Sequence, residues 1–176
     1  THEQYRQLAK NIKIPSTWLL LHLAWCLAAR VGDVRQLRPA DLNFEQRMRQ
    51  HTFSALFRYG KGAAFWGPYT IHSTLEDSVR QQLKTYALAA RDPLAPLFSK
   101  SDQRRLALAV KQFENCSLRS LRRGSLVHAA SRGVSDDDLQ LLSGHKRKDT
   151  LMRYLGWGAH SATAKAAATA RAEKLS

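Results

Sequence analysis

The apolar run from Leu19 to Leu27 constrains this chain more than any other stretch. His22 interrupts it, and it is far shorter than the roughly 20 residues a membrane-spanning helix needs. It also lacks the processing-site pattern of a signal peptide. Pro15 followed by Ser16-Thr17 makes a good helix start, since proline lacks only an N–H that a first turn leaves unused. The spacing therefore predicts a core helix from Pro15 to about Arg30, with Leu19, Leu20, Leu23 and Leu27 on one apolar face. Cys26 falls inside the run and is read as core. With 176 residues the chain is long enough to build one domain around such a helix.

The remaining patterns supply what packs on it. A helix is expected from about Glu3 to Lys10. Leu42–Glu45, His51–Arg58 and Ala64–Ile71, rich in Phe, Tyr, Trp and Thr, read as three short strands. Tyr59-Gly60-Lys61-Gly62 between the last two is turn chemistry. Helices follow at Thr74–Ala90, Asp102–Phe113, Leu118–Ser131, Ser135–Ser143, Asp149–Gly156 and Ser161–Lys174. Ser135 with Asp136, Asp137 and Asp138 reads as an N-cap with acids in the first turn, rather than as a metal site. The fold class is mainly α with a small antiparallel β-sheet (α+β).

Charge narrows the function. Lys and Arg number 28 against 14 Asp and Glu, leaving a formal +14. Such an excess points to a polyanionic partner, with nucleic acid first. An anionic membrane surface is the rival, but no basic amphipathic helix favours it. Two cysteines, Cys26 and Cys116, make no disulfide framework and suit a reducing compartment.

Chemistry concentrates between Ser120 and Trp157. Arg122, His145 and Tyr154 are spaced 23 and then 9 residues apart, and Arg30 lies far upstream beside Asp33. Two fixed cations, an imidazole and a phenol suit metal-free attack on a phosphodiester. The arginine fork matches non-bridging phosphate oxygens, and tyrosine can act as a tethered nucleophile. Each residue also has a plainer reading. Arg30–Asp33 alone would be a structural ion pair, Arg119, Arg122 and Arg123 a basic helix surface, and Lys61 a solvated turn residue. His145 would be a packing or capping histidine, and Tyr154 a core aromatic.

Taken together, these residues resemble the catalytic domain of tyrosine recombinases (the phage-integrase family). The matching pieces run in the family's order: Arg30-Val31-Gly32-Asp33-Val34 with Leu37 and Asp41, the Lys61 turn, Leu121-Arg122-Arg123-Gly124, Leu142-Ser143-Gly144-His145, and Arg153-Tyr154. They span Leu20 to Gly158. Ser-Leu-Arg-Arg-Gly and Tyr-Leu-Gly-Trp-Gly are similar to recombinases of eukaryotic mobile elements of DIRS-like or kinetoplastid type. The resemblance implies that residues 1–176 form the catalytic domain without the family's preceding DNA-clamping domain. It also implies that a segment within 159–176 is a candidate exchange helix passed between neighbours.

Carried over residue by residue, the resemblance makes Arg30, Arg119, Arg122 and His145 stabilisers of the scissile phosphate and Lys61 the general acid. Tyr154 is then the nucleophile of a 3′-phosphotyrosyl intermediate, and Asp33 a supporting acid. Arg123, Lys146, Arg147 and Lys148 become DNA contacts. It implies double-stranded DNA as partner, a tetramer on DNA, no cofactor, no metal and no membrane. The implied location is the nucleus in a eukaryotic host and otherwise the cytoplasm or nucleoid. One departure stands out: Arg119 occupies a position that is commonly His or Lys, and arginine exchanges no proton near neutral pH. Relaxation of the type IB topoisomerase kind, a domesticated nucleic-acid-binding domain without cleavage, and a basic component of a ribonucleoprotein particle are the alternatives.

Overall fold

The computed structural model describes residues 1–145 and 148–155, the side chains of Arg47, Gln50, Lys148, Tyr154 and Leu155 excepted. The expected helix Ser161–Lys174 and the candidate exchange segment 159–176 lie outside the described residues, as do Lys146 and Arg147.

Helix α1 (His2–Asn11) opens on a capping box, with Thr1 Oγ1 accepting from the Gln4 amide at 3.1 Å. Helix α2 (Pro15–Cys26) is the centre of the domain. The sequence predicts one apolar face, but Leu19, Leu20, Leu21, Leu23, Ala24 and Trp25 are all buried, so the helix is covered nearly all round. Truncating any of these leucines to alanine would cost about 2–5 kcal/mol through lost contact and a residual cavity.

After α2 come the short α3 (Val31–Arg35), a 3-10 turn at Pro39–Asp41, and strands β1 (Leu42–Arg47) and β2 (Gln50–Phe57). Helix α4 (Lys61–Trp66) follows, then β3 (Tyr69–Ser73). The three strands form one antiparallel sheet in the order β1-β2-β3, with Phe44 opposite Phe53 and Phe57 opposite Tyr69. Phe53, Ala55 and Phe57 alternate inward and are buried, as a strand's two-residue period requires. Helices α5 (Asp77–Leu88), α6 (Lys100–Val110), α7 (Leu118–Ser131), α8 (Asp136–Ser143) and α9 (Lys148–Leu155) complete the described chain.

Helices α1, α3, α5, α6 and α7 pack around α2 and share its core with the sheet. A second small core joins Ala28 to Leu126 of α7, Leu139 of α8 and Leu151 of α9. Ser135 caps α8 by accepting from the Asp138 amide at 3.2 Å, so the acidic trio begins a helix. No helix among the described residues is long and apolar enough to cross a membrane.

Two sequence expectations need correction. The helix predicted to reach Arg30 stops at Cys26, because Ala28 adopts φ 47° and its methyl is buried in the second core. The third strand was expected over Ala64–Ile71, but residues 61–66 are helical and the strand starts at Tyr69. Gly60 at φ 98° and Gly67 at φ 80° turn the chain into and out of this helix, overriding the strand preference of Phe65 and Trp66.

Asp102 ties the start of α6 to the start of α2. Its buried carboxylate accepts from Ser16 Oγ at 2.6 Å, Thr17 Oγ1 at 3.1 Å, Arg105 Nη1 at 3.0 Å and the Ser99 amide at 3.0 Å. Burial acts to raise its pKa, but these donors outweigh it and hold the group at about 2. Because that lies below the ordinary carboxylate value near 4, the stabilisation is present above pH 4. It is lost as pH falls through 2. Asp102→Ala should lower unfolding free energy by about 3 kcal/mol in urea melts at pH 7. The gap to the native chain should narrow in melts below pH 3; a constant gap would show that Asp102 acts through packing alone.

Candidate active site

The positive-φ turn at Ala28 decides where Arg30 points. Instead of continuing around α2, Arg30 is the extended N-cap of α3, and its side chain stays 49% exposed. Its Nη1 lies 3.8 Å from Asp33 Oδ2 on the next turn. The Asp33 carboxylate is largely covered. Burial raises its pKa, and the charges of Arg30 and Arg122 oppose that rise. Gly60 lies directly against this carboxylate, and a Cβ there would fall inside van der Waals contact with it. The turn between β2 and α4 is thus seated on Asp33. Asp41 steadies the same region, accepting from Arg38 of the 3-10 turn and from Arg58 Nε at 2.8 Å just after β2.

Arg122 is buried on the inner face of α7, between Leu121 and Ser125. Its Nη2 donates to the Ser143 carbonyl at the end of α8. Gly144 then ends α8 in the left-handed conformation, φ 70°, with its amide donating to Gln140 O at 2.9 Å. This reversal brings His145 back beside Arg122. His145 Nδ1 pairs with Ser143 Oγ at 2.7 Å. Burial lowers the pKa of His145, helped by Arg122 and Arg30, so the ring is neutral at pH 7.

One cleft of about 520 Å³ collects these groups. Arg30, Lys61, Arg122 and His145 line it, together with Tyr69, Phe65 and Trp66. Lys61 begins α4 within the β2–β3 connection, a helix rather than the expected bare turn. Gly62 allows the Tyr69 ring to approach, since a Cβ would lie 3.0 Å from its Cε1. Tyr69, stacked on Phe57, has its pKa raised by burial and by Asp33.

The other expected residues stand elsewhere. Arg119, one turn before Arg122, is exposed and is not among the residues lining the cleft. Arg123 is exposed and borders a different hollow with His2 and His128. Lys148 and Tyr154 belong to α9, which Leu151 anchors against Ala28, Leu126 and Leu139. Thus the small core that turns the chain toward Arg30 also holds α9. Sequence reasoning missed Tyr69, Phe65 and Trp66. The signal for the aromatic pair was its place just after Gly60-Lys61-Gly62, which a strand assignment had absorbed.

Three cations and a neutral imidazole around one cleft can hold a phosphate and exchange a proton beside it. Among the described residues no three His, Cys, Asp or Glu side chains group as a metal site.

No protein-family model matches the sequence, and no curated protein does. Solved structures do. A XerA recombinase is similar over 88% of this chain and 57% of its own, with TM-score 0.66 and 15% identity. A XerH site-specific recombinase bound to palindromic difH DNA in a post-cleavage complex matches over 93% and 50%, with TM-score 0.67 and 16% identity. The catalytic domain of bacteriophage HP1 integrase matches over 88% and 84%, with TM-score 0.59 and 16% identity. The chain spans about half the length of the XerA and XerH structures. The fold is that of tyrosine recombinase catalytic domains.

The electrostatics of the cleft make a direct prediction. Replacing the half-exposed Arg30 by alanine should raise the His145 titration midpoint, read from ring chemical shifts, toward its ordinary value. An unmoved midpoint would mean that the guanidinium does not act on the imidazole.

Proposed function

We propose that this domain cleaves and rejoins DNA strands by transesterification through a 3′-phosphotyrosine. The observation that carries the reading is that Arg30, Lys61, Arg122 and His145, from four separate segments, line one cleft. Arg30, Arg122 and His145 are among the groups from which the sequence suggested phosphodiester chemistry, and the family resemblance added Lys61.

In this reading Arg30 and Arg122 hold the non-bridging oxygens of the scissile phosphate, where negative charge grows in the transition state. One well-placed donor of this kind contributes about 3–4 kcal/mol. Tyr154, nine residues beyond His145, attacks phosphorus. Its proton leaves to the neutral His145 or to solvent beside it. The bond from phosphorus to the 5′ oxygen breaks, and Lys61 protonates that oxygen to give a free 5′ hydroxyl. A 5′ hydroxyl then attacks the phosphotyrosine and regenerates the phenol. The new ester conserves bond energy, so the exchange needs no external energy source.

Arg119 adds positive charge on the exposed side of α7, outside the cleft lining, and Lys146, Arg147, Lys148 and Arg123 contact flanking backbone. The excess of +14 favours this polyanion. Pairing of two duplexes by a tetramer, with residues 159–176 exchanged between neighbours, belongs to the same reading. The Ser-Leu-Arg-Arg-Gly and Tyr-Leu-Gly-Trp-Gly sequences, together with a fold match to the Tn1549 transposon integrase at TM-score 0.59 and 15% identity, support a mobile-element role.

One observation favours a second reading, a nucleic-acid-binding domain with weak or no cleavage. Arg119 is an arginine that cannot exchange a proton, and it lies outside the cleft lining.

A nicked suicide DNA substrate separates the two. The native chain should give a covalent protein–DNA band on a denaturing gel, and Tyr154→Phe should give none. Tyr69→Phe is the needed companion, because Tyr69 is a phenol already in the cleft, and it should leave the band in place. Binding without a band, with cleavage restored by Arg119→His, would establish the weak-cleavage reading. A band that disappears with Tyr69→Phe and persists with Tyr154→Phe would overturn the assignment of the nucleophile.

A further inference from the structure

Phe65 and Trp66 are 63% and 60% exposed, although exposed rings of this size are normally covered. They sit at the end of α4, whose one buried residue is Ala63, and both line the cationic cleft. Leu141 of α8, 80% exposed, lines the same cleft. The two rings meet edge to face, with centroids 5.3 Å apart and planes at 68°, and each keeps more than half of its surface exposed. Lys61 and Phe65 are four residues apart on α4 and therefore share a side of the helix. Positive-φ glycines at both ends, Gly60 and Gly67, set this short helix off from the strands.

We infer that the Phe65–Trp66 pair is a stacking wedge for an unstacked nucleobase beside the phosphate held by Arg30 and Arg122. The inference rests on the DNA reading above and adds the form of the substrate. An aromatic face can stack on any base but only where the base's own face is open, and in continuous duplex those faces are closed by neighbours. The domain therefore prefers DNA whose bases are unpaired or displaced next to the cleavage point. A flat bilayer cannot meet both the rings and the cations of a concave cleft. A protein partner would have to cover Arg30 and Lys61 together with the rings, whereas a nucleotide carries both a phosphate for the cations and a base for the rings of the one cleft.

The test compares affinity for a short continuous duplex with affinity for the same sequence carrying one unpaired base. Native chain should favour the bulged duplex by on the order of tenfold or more, the stacking contribution of a single base. Phe65→Ala/Trp66→Ala should bring that ratio close to one. It should leave affinity for continuous duplex, and its salt dependence, nearly unchanged, because the phosphate contacts remain. Trp66→Phe, which keeps a π face, should retain most of the preference. Phe65→Leu/Trp66→Leu, which keeps apolar bulk without one, should lose it. Since both rings are exposed, all variants should melt with the native chain. A native ratio near one, or a ratio that survives the double alanine variant, overturns the wedge. So does a self-association that the double variant abolishes while the ratio stands, because the rings would then be a protein contact. Failure to bind either duplex would overturn the DNA reading as well. A missing covalent band alongside an intact ratio would count against cleavage alone.

Discussion

The buried guanidinium of Arg122 is the interaction around which the site is built. Burying a charge is costly unless it is paired and hydrogen-bonded. Here the Ser143 carbonyl at the end of α8 accepts from it, and the negative charge of Asp33 is near enough to interact with it. The C-terminal end of α8 is itself a favourable place for a cation. In satisfying one arginine, the fold fixes the relation of α7 to α8. It also fixes the left-handed turn at Gly144 and the position of His145.

A second constraint runs through Asp33. The same carboxylate is close to Arg30, is influenced by Arg122 and provides the surface on which Gly60 rests. No other residue type fits Gly60 without displacing that carboxylate, since the backbone has φ 98° and there is no room for a Cβ. The start of α4, and with it Lys61, is therefore placed by contact with the acidic group that steadies the arginines. In a chain of +14, a few buried carboxylates do much of the positioning. Asp33 serves the cleft, Asp41 gathers Arg38 and Arg58 at the 3-10 turn before β1, and Asp102 locks α6 to α2.

Elements whose boundaries are written in local chemistry were legible in advance. Helix α7 matches its expected span, Leu118–Ser131, and α8 begins after the Ser135 cap as read. β1 and β2 lie within two residues of expectation. The end of α2 and the identity of residues 61–66 were not legible. Alanine at position 28 carries no local signal for a positive φ, and that turn exists because its methyl fills a core built by α7, α8 and α9. Phe65 and Trp66 have strand-like propensity, and only the seating of Gly60 on Asp33 and of Gly62 beside Tyr69 makes a helix there sensible.

By itself the sequence determined which reactive groups this protein carries and their order along the chain: two arginines, a histidine, a lysine and a tyrosine within a strongly basic domain. It determined the helical majority as well, because capping residues and apolar periodicity act over a few residues. Only the tertiary structure decided that Arg30, Lys61, Arg122 and His145 share one cleft while Arg119 stands outside its lining. It alone brought Tyr69 and the Phe65–Trp66 pair to the same place. The physical reason is range. Caps and periodicity are local, whereas the meeting of side chains up to 115 positions apart, from Arg30 to His145, depends on how the helices pack around α2.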